Sequence, residues 1–336
     1  MARELSMVAA INEALHIALA ADPDVIVLGE DVAGGGGRAD QGIEDAWGGI
    51  MGATRGLLTR FGAQRVRDTP ISEMGFLGAA VGAAATGLRP VAELMFIDFI
   101  GVALDPLLNQ AAKLRYMFGG KASVPLTVRT LTGAGLRSAA QHSQSLYGIT
   151  AGIPGLKTVI PSNPADAKGL LLAAIRDDDP VIFCEPKSLM FLSGEVPEED
   201  YEVPLGSAKV VSAGSDVTLV GFGRTVHTAL TAAAALAADG ISAEVIDLRS
   251  LQPLDTDAIL ASLSKTGRLV VIDEATPRCG IASDVAALCV DRGFEFLDAP
   301  VKRVTAPHAP VPFSPTLEDA YMPSPEQVVA AVREMG

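Results

Sequence analysis

The segment Asp68-Thr69-Pro70-Ile71-Ser72-Glu73 runs directly into Met74-Gly75-Phe76-Leu77-Gly78-Ala79-Ala80-Val81-Gly82-Ala83-Ala84-Ala85-Thr86-Gly87. A strand that stops at a proline, followed by a serine suited to capping, opens a helix built almost wholly of small apolar residues. Such a helix is expected to be buried and packed closely against another backbone. Glu73 then stands at the mouth of a buried element. An ionisable group there needs a partner to offset its desolvation, and burial raises the pKa of a carboxyl so that it can share a proton. The plain alternative is a surface capping pair, Ser72 and Glu73. His142 is one of only four histidines; taken alone, such a residue is more often structural than catalytic. Ala174, Ile175, Asp177 and Asp179 sit where a helix C-terminus meets an acidic run. Free carbonyls and carboxylates together suit a hard cation, although a solvated helix end reads almost as well.

Two glycine-rich stretches invite a phosphate reading that their spacing does not support. Gly34-Gly35-Gly36-Gly37 has no Lys-Ser/Thr after it, so a flexible loop is expected. Gly221-Phe222-Gly223 follows a strand but lacks the third glycine of a dinucleotide turn, which argues against a nicotinamide cofactor. Cys184, Cys279 and Cys289 have no metal spacing and read as buried small hydrophobes in a reducing cytosol.

These residues have to be positioned by alternating elements. Short apolar strands are expected at Val25–Gly29, Val91–Met95, Leu126–Arg129, Lys157–Ile160 and Val181–Cys184, with helices between them, including Ser6–Ala20 and Pro164–Arg176. Such an alternation implies a parallel sheet covered by helices on both faces. From Met190 to Leu205 the pattern breaks into an acidic, proline-containing stretch that reads as a linker. It restarts with strands at Asp216–Gly221, Ala243–Leu248 and Leu269–Asp273, and helices at Thr225–Ala238, Asp255–Ser264 and Ser324–Glu334. The expected organisation is an α/β domain over 1–189, a linker over 190–205 and a second α/β domain over 206–336, with Ala306 to Pro315 as a wrapping segment.

The chain has 336 residues, 26 Lys and Arg against 40 Asp and Glu, and a net charge of −14, which argues against nucleic acid or an anionic membrane as partner. No stretch is long and apolar enough to span a membrane, and the N-terminus lacks a signal-peptide pattern, so a cytoplasmic location is expected.

Several motifs then fall in a shared order: Leu28-Gly29-Glu30-Asp31-Val32, Asp68 to Glu73, Arg89 to Met95, Ala140-Gln141-His142-Ser143-Gln144, Ile153-Pro154-Gly155-Leu156-Lys157, Ala174 to Val181, and, near the end, Leu297-Asp298-Ala299-Pro300 and Leu317-Glu318-Asp319. Together they closely resemble the beta subunit of the thiamine-diphosphate-dependent component of 2-oxo acid dehydrogenase complexes. Asp45-Ala46-Trp47-Gly48-Gly49, Leu94 to Phe99 and Asn109 to Lys121 are most similar to acetoin-cleaving members.

The resemblance implies a transketolase-like pyrimidine-binding domain followed by a transketolase C-terminal-type domain, and half of an active site. An alpha subunit, in an alpha2-beta2 assembly, is expected to hold the diphosphate and Mg²⁺ through a Gly-Asp-Gly motif, which this sequence lacks. It further implies that Glu73 hydrogen-bonds a pyrimidine nitrogen of thiamine diphosphate, that Phe99 packs on that ring, and that Ile71, Met95 and Glu30 contact or approach it. His142 is expected to donate a proton as the acyl group passes to the lipoyl group of an acyltransferase core. K⁺ is implied at Leu126, Ala174, Ile175, Asp177 and Asp179, the last being Asn in many relatives. The rival readings are a pyruvate or branched-chain 2-oxo acid enzyme of the same family, and a non-catalytic binding or scaffold protein that kept the fold.

Overall fold

The computed structural model describes residues 2–34 and 48–336. The Gly35-Gly36-Gly37 run and the Asp45-Ala46-Trp47 stretch lie outside the described residues. The strands are β1 (Ala2–Ser6), β2 (Val25–Gly29), β3 (Val66–Asp68), β4 (Arg89–Phe96), β5 (Thr127–Thr132), β6 (Lys157–Val159), β7 (Val181–Pro186), β8 (Ser193–Pro197), β9 (Lys209–Ser212), β10 (Val217–Gly221), β11 (Ala243–Asp247), β12 (Ser250–Gln252), β13 (Leu269–Asp273) and β14 (Lys302–Thr305).

A seven-stranded sheet has the order β12-β6-β7-β5-β4-β2-β3, parallel throughout except for β12. A five-stranded sheet has the order β14-β13-β10-β11-β9, with β9 its antiparallel edge. Successive residues of one strand feed opposite cores. On β7, Ile182 and Cys184 pack to one side of the sheet while Val181 and Phe183 pack to the other. Both faces are therefore dry, which is why these strands read as unbroken apolar runs.

Helix Met7–Ala21 is capped by the Ser6 hydroxyl, which accepts from the Ala9 N–H at 3.3 Å. Helix Pro164–Arg176 is capped by the Asn163 side-chain oxygen, which accepts from the Asp166 N–H at 2.9 Å. The two helices pack together on one face of the larger sheet. Helix Glu73–Ala85 lies on the other face and buries Phe76, Leu77, Ala80, Val81 and Ala84. Its opposite face differs from expectation: Gly75, Gly78, Ala79 and Gly82 are exposed, and a Cβ on Gly82 would meet nothing within 4 Å. One chain covers only half of this helix.

The stretch read as a linker is more structured than its composition suggests. Residues Ser193–Pro197 form β8 and pair antiparallel with β1. The buried Lys168 ammonium donates to the carbonyls of Pro197, Glu198 and Glu199. Its backbone carbonyls, rather than its acidic side chains, take the anchoring cation. The boundary is crossed a second time: β12, from the later half of the chain, adds to the first sheet beside β6.

One apolar core runs through both units, from Leu77 and Ala92 to Val220, Phe222, Leu248 and Val271. Gly223, with φ +52°, sits at this seam, where a Cβ would meet Ile160 Cδ1 at 2.8 Å and Pro186 Cγ at 3.1 Å. The turn that resembled a dinucleotide loop is thus used for close packing of the two sheets. Cys184 and Cys289 are buried, whereas Cys279, expected inside, is exposed.

Candidate active site

The candidate residues gather at the carboxyl ends of the parallel strands, where open α/β sheets bind ligands. Glu30 follows β2, and Glu73 opens the helix after β3. Met95 lies near the end of β4, with Phe99 in the single turn beyond it. His142 is on the long loop after β5.

Glu30 and Glu73 share one electrostatic environment. Glu30 is buried, and its Oε1 atom has no hydrogen-bond partner. Burial raises its pKa above the ordinary carboxylate value, and the charges of Glu73, Asp31 and Glu93 raise it further. Glu73 is half-buried, and its carboxyl makes no hydrogen bond among the described residues. Ser72 occupies the capping position as expected, but its side chain makes no capping hydrogen bond. Ile71 is 84% exposed and Met74 56% exposed, unusual for apolar residues flanking an acid.

A carboxyl with a raised folded pKa holds a proton that the unfolded chain has already lost. Its contribution to stability is therefore highest below the unfolded pKa and falls as pH rises towards the folded value. Glu30→Gln is expected to raise the Tm of the isolated chain at neutral pH by about 1–3 °C. The gain should vanish near pH ~4, where glutamates are protonated in both states. Thermal denaturation at the two pH values checks this.

A second group surrounds His142. The rings of Phe96, Phe99 and His142 meet edge to face, with centroids 5.0 Å apart for Phe96–His142, 5.5 Å for Phe99–His142 and 5.8 Å for Phe96–Phe99. Each such contact contributes about 0.5–1.5 kcal/mol beyond burial, which is enough to fix the imidazole plane. The loop is tied at its base, where Gly133 N–H donates to the Gln144 carbonyl at 3.1 Å. Asp98 Oδ1 accepts from the Gln144 N–H at 3.1 Å and from its Nε2 at 2.9 Å. Lys187, 1% exposed, donates to the His142 carbonyl and lies 5.3 Å from the Phe96 ring centre. Burial pulls the Lys187 pKa down, while Asp98, Glu318 and Glu274 oppose that shift. Met95 packs with Phe99 against the same core.

Sequence reasoning missed Lys187 and Asp98. Asp98 was visible inside the Leu94 to Phe99 motif but had no assigned partner. Lys187 follows a strand in Glu185-Pro186-Lys187 and looks like an ordinary surface lysine.

The five residues considered for a cation do come together, but their oxygens are taken up by the chain's own groups. The Leu126 carbonyl accepts from Val181 N–H at 2.9 Å, and Arg89 Nη1 donates to the carbonyls of Ile175 at 3.3 Å and Asp177 at 3.1 Å. The Ala174 carbonyl accepts from the Asp177 N–H at 3.4 Å, Lys157 pairs with Asp177 Oδ2 at 2.6 Å, and Arg115 pairs with Asp179. Three cationic side chains already balance the acidic run. Among the described residues no group of three or more His, Cys, Asp or Glu could hold a metal ion.

Comparison with known proteins accords with this geometry. The family "Transketolase, pyrimidine binding domain" matches residues 3–191, and "Transketolase, C-terminal domain" matches residues 206–328. The chain is 61% identical over 335 residues to the acetoin:2,6-dichlorophenolindophenol oxidoreductase subunit beta of Bacillus subtilis, covering 100% of this chain and 98% of that one. It is 58% identical to the protein of the same name from Cupriavidus necator, covering 99% and 98%. Against the pyruvate dehydrogenase E1 component subunit beta of Bacillus subtilis it is 44% identical, again covering 99% and 98%. A split-gene transketolase solved as an inactive beta4 tetramer shares the fold, with a TM-score of 0.78 at 23% identity over 98% of each chain. With the site at the strand ends and both domain families matched in order, the chain belongs to the family of dehydrogenase beta subunits built from a transketolase pyrimidine-binding domain and a transketolase C-terminal domain.

Proposed function

We propose that this chain is the beta subunit of a thiamine-diphosphate-dependent acetoin dehydrogenase, active together with an alpha subunit and passing an acetyl unit to a lipoyl group on an acyltransferase core. One observation supports this above the others: a half-buried acid without a partner, Glu73, beside a buried acid with an orphaned oxygen, Glu30, under a helix face that one chain leaves open. A ring nitrogen offered to Glu73 would give that acid the hydrogen bond it lacks.

Bound thiamine diphosphate supplies the electron sink for breaking a carbon–carbon bond beside a carbonyl. The chain's own residues bind, orient and shield the reacting groups. Glu73 offers a carboxyl oxygen to the pyrimidine, and the buried Glu30 beside it, whose own pKa is raised, keeps the pocket short of negative charge. Phe99 and Met95 offer apolar surface that excludes water, and the exposed Ile71 is covered once ligand and partner are in place. His142, its ring fixed by Phe96 and Phe99, presents an imidazole N–H to the reacting group. In acetyl transfer the two-carbon unit is oxidised while the dithiolane is reduced: the S–S bond breaks, one sulfur takes the acetyl group, and the other takes the proton that His142 delivers.

The exposed stripe Gly75, Gly78, Ala79 and Gly82 suits close approach of a second backbone, and we assign it to the alpha subunit in an alpha2-beta2 assembly. We assign the diphosphate and its Mg²⁺ to that subunit as well, since this sequence has no Gly-Asp-Gly motif. Between Leu126 and Asp179, where the resemblance implies K⁺, Arg89, Lys157 and Arg115 already balance the charge of the acidic run. No helix among the described residues is long and apolar enough to cross a membrane, which fits the cytoplasmic setting we propose.

Reconstitution with the alpha subunit tests the substrate. Acetoin turnover is expected to exceed pyruvate and 2-oxoisovalerate turnover by about tenfold or more in kcat/KM, a difference of ~1.4 kcal/mol. Equal or faster turnover of pyruvate would overturn the acetoin reading, and no turnover of any of them would favour a scaffold.

A further inference from the structure

We propose that the second domain positions the His142 loop, with Glu318 as the positioning residue; this rests on the role of His142 argued above. The loop's backbone does not hold itself. Gly133 (φ +88°), Gly135 (φ +107°), Arg137 (φ +56°) and Ala139 (φ +58°) all lie in the left-handed region, four alternate residues in a row. For Arg137 and Ala139 that conformation is strained, and it persists only where the surroundings impose it.

The surroundings here are carboxylates from the far end of the chain. Glu318, fully buried on helix Pro315–Tyr321, accepts from the Gly135 N–H at 2.8 Å, the Arg137 N–H at 3.1 Å and Arg137 Nη1 at 2.7 Å. Asp319 accepts from Arg137 Nη2 at 2.8 Å. Glu274, just beyond β13, accepts from the Ala134 N–H at 2.6 Å. A Cβ on Gly133 would meet that same carboxylate at 2.8 Å, so a larger residue there would displace Glu274 from the loop. Backbone N–H groups that converge in this way form a concavity for an anion, and two carboxylates of the second domain fill it. After the loop, the Tyr147 hydroxyl donates to Asp273 Oδ1 at 2.6 Å.

The loop is thus gripped from both sides. Lys187 and Asp98 of its own domain hold residues 142–144, and the second domain holds residues 134, 135, 137 and 147. No second-domain residue is among those proposed to touch the cofactor, yet the second domain fixes the path of the segment that delivers the proton. Glu318 acts through Gly135 and Arg137, seven and five residues before His142, so its loss moves the imidazole rather than the pyrimidine site.

The reconstituted alpha-beta enzyme tests this with two electron acceptors. One is a lipoyl domain, which needs the His142 proton; the other is 2,6-dichlorophenolindophenol, which takes electrons without forming a thiol. Glu318→Gln is expected to lower lipoyl-dependent acetyl transfer by about 10- to 100-fold, a typical cost of misplacing a reacting group. Dye-linked acetoin oxidation should fall far less, so the ratio of the two rates shifts by about tenfold or more. Arg137→Gln, at a partly exposed side chain, should shift the ratio in the same direction. His142→Ala is the reference. If it leaves the ratio unchanged, the reading of His142 fails. If it shifts the ratio while Glu318→Gln and Arg137→Gln lower both rates equally, or neither, the positioning role is overturned.

Discussion

Glu73→Gln is expected to reduce acetoin cleavage by the reconstituted pair by about 10²–10⁴-fold, the range lost when a positioned proton-transfer group is removed. The carboxamide keeps the size and one hydrogen-bonding oxygen but can neither lose nor share the proton. The fold should tolerate the change. Glu73 makes no hydrogen bond among the described residues, so nothing is orphaned. Its favourable position in the first turn of helix Glu73–Ala85 contributes about 0.3–1 kcal/mol. Relief of repulsion with Glu30 offsets part of that. Circular dichroism and Tm should therefore stay near those of the parent, and assembly with the alpha subunit should persist on size-exclusion chromatography. A parental rate with added thiamine diphosphate would remove Glu73 from the mechanism.

How much of this was legible in the sequence depends on distance along the chain. The run from Asp68 to Glu73 is local, and its reading as a strand end followed by a helix start matches β3 and helix Glu73–Ala85, with Ser72 at the capping position. Helix Pro164–Arg176 and strand β13 have the bounds expected from their periodicity and capping residues. Local pattern failed where long-range partners decide. Residues 193–197 carry no strand signal because pairing with β1 and the buried Lys168, rather than their own hydrophobicity, holds them. Three residues, Ser250–Gln252, cross from the second half into the first sheet, and no periodicity can register over so short a span. The small-residue helix shows the opposite error: composition demanded burial all round, but a single chain supplies only one covered face. At the site, Glu73, Glu30, Phe99 and His142 came from family motifs. Glu274 and Glu318 bind a loop roughly half the chain away, and only the folded topology brings them to it.

Behind the site lies a buried triad whose loss should have the largest effect on stability. Arg129 on β5 donates through Nη1 to Glu93 Oε2 on β4 at 2.8 Å and through Nε to Glu185 Oε1 on β7 at 2.7 Å. All three side chains are buried, and the triad carries one positive charge against two negative. Burial raises the pKa of both glutamates, and Arg129 opposes that shift. Arg129→Met removes the counter-charge that pairs with both glutamates and leaves two carboxylates stranded between strands, so a loss of about 3–5 kcal/mol is expected. The remedy should lie in the same strands. Adding Glu93→Gln and Glu185→Gln removes the stranded charges and should recover more than half of the deficit, a coupling that independent sites would not show. The pH dependence follows from the sign of the shift. Without Arg129 both glutamates have raised folded pKa values, so stability is greatest at low pH and falls as pH rises through them. The deficit against the parent should therefore widen from about pH 5 to about pH 8, and the triple variant should flatten it. Denaturant titrations at both pH values measure this directly. A constant deficit would mean that Arg129 contributes packing rather than charge. Because the Glu93 charge also helps raise the Glu30 pKa, the triple variant should lower that pKa, linking the buried strands to the proton held at the site.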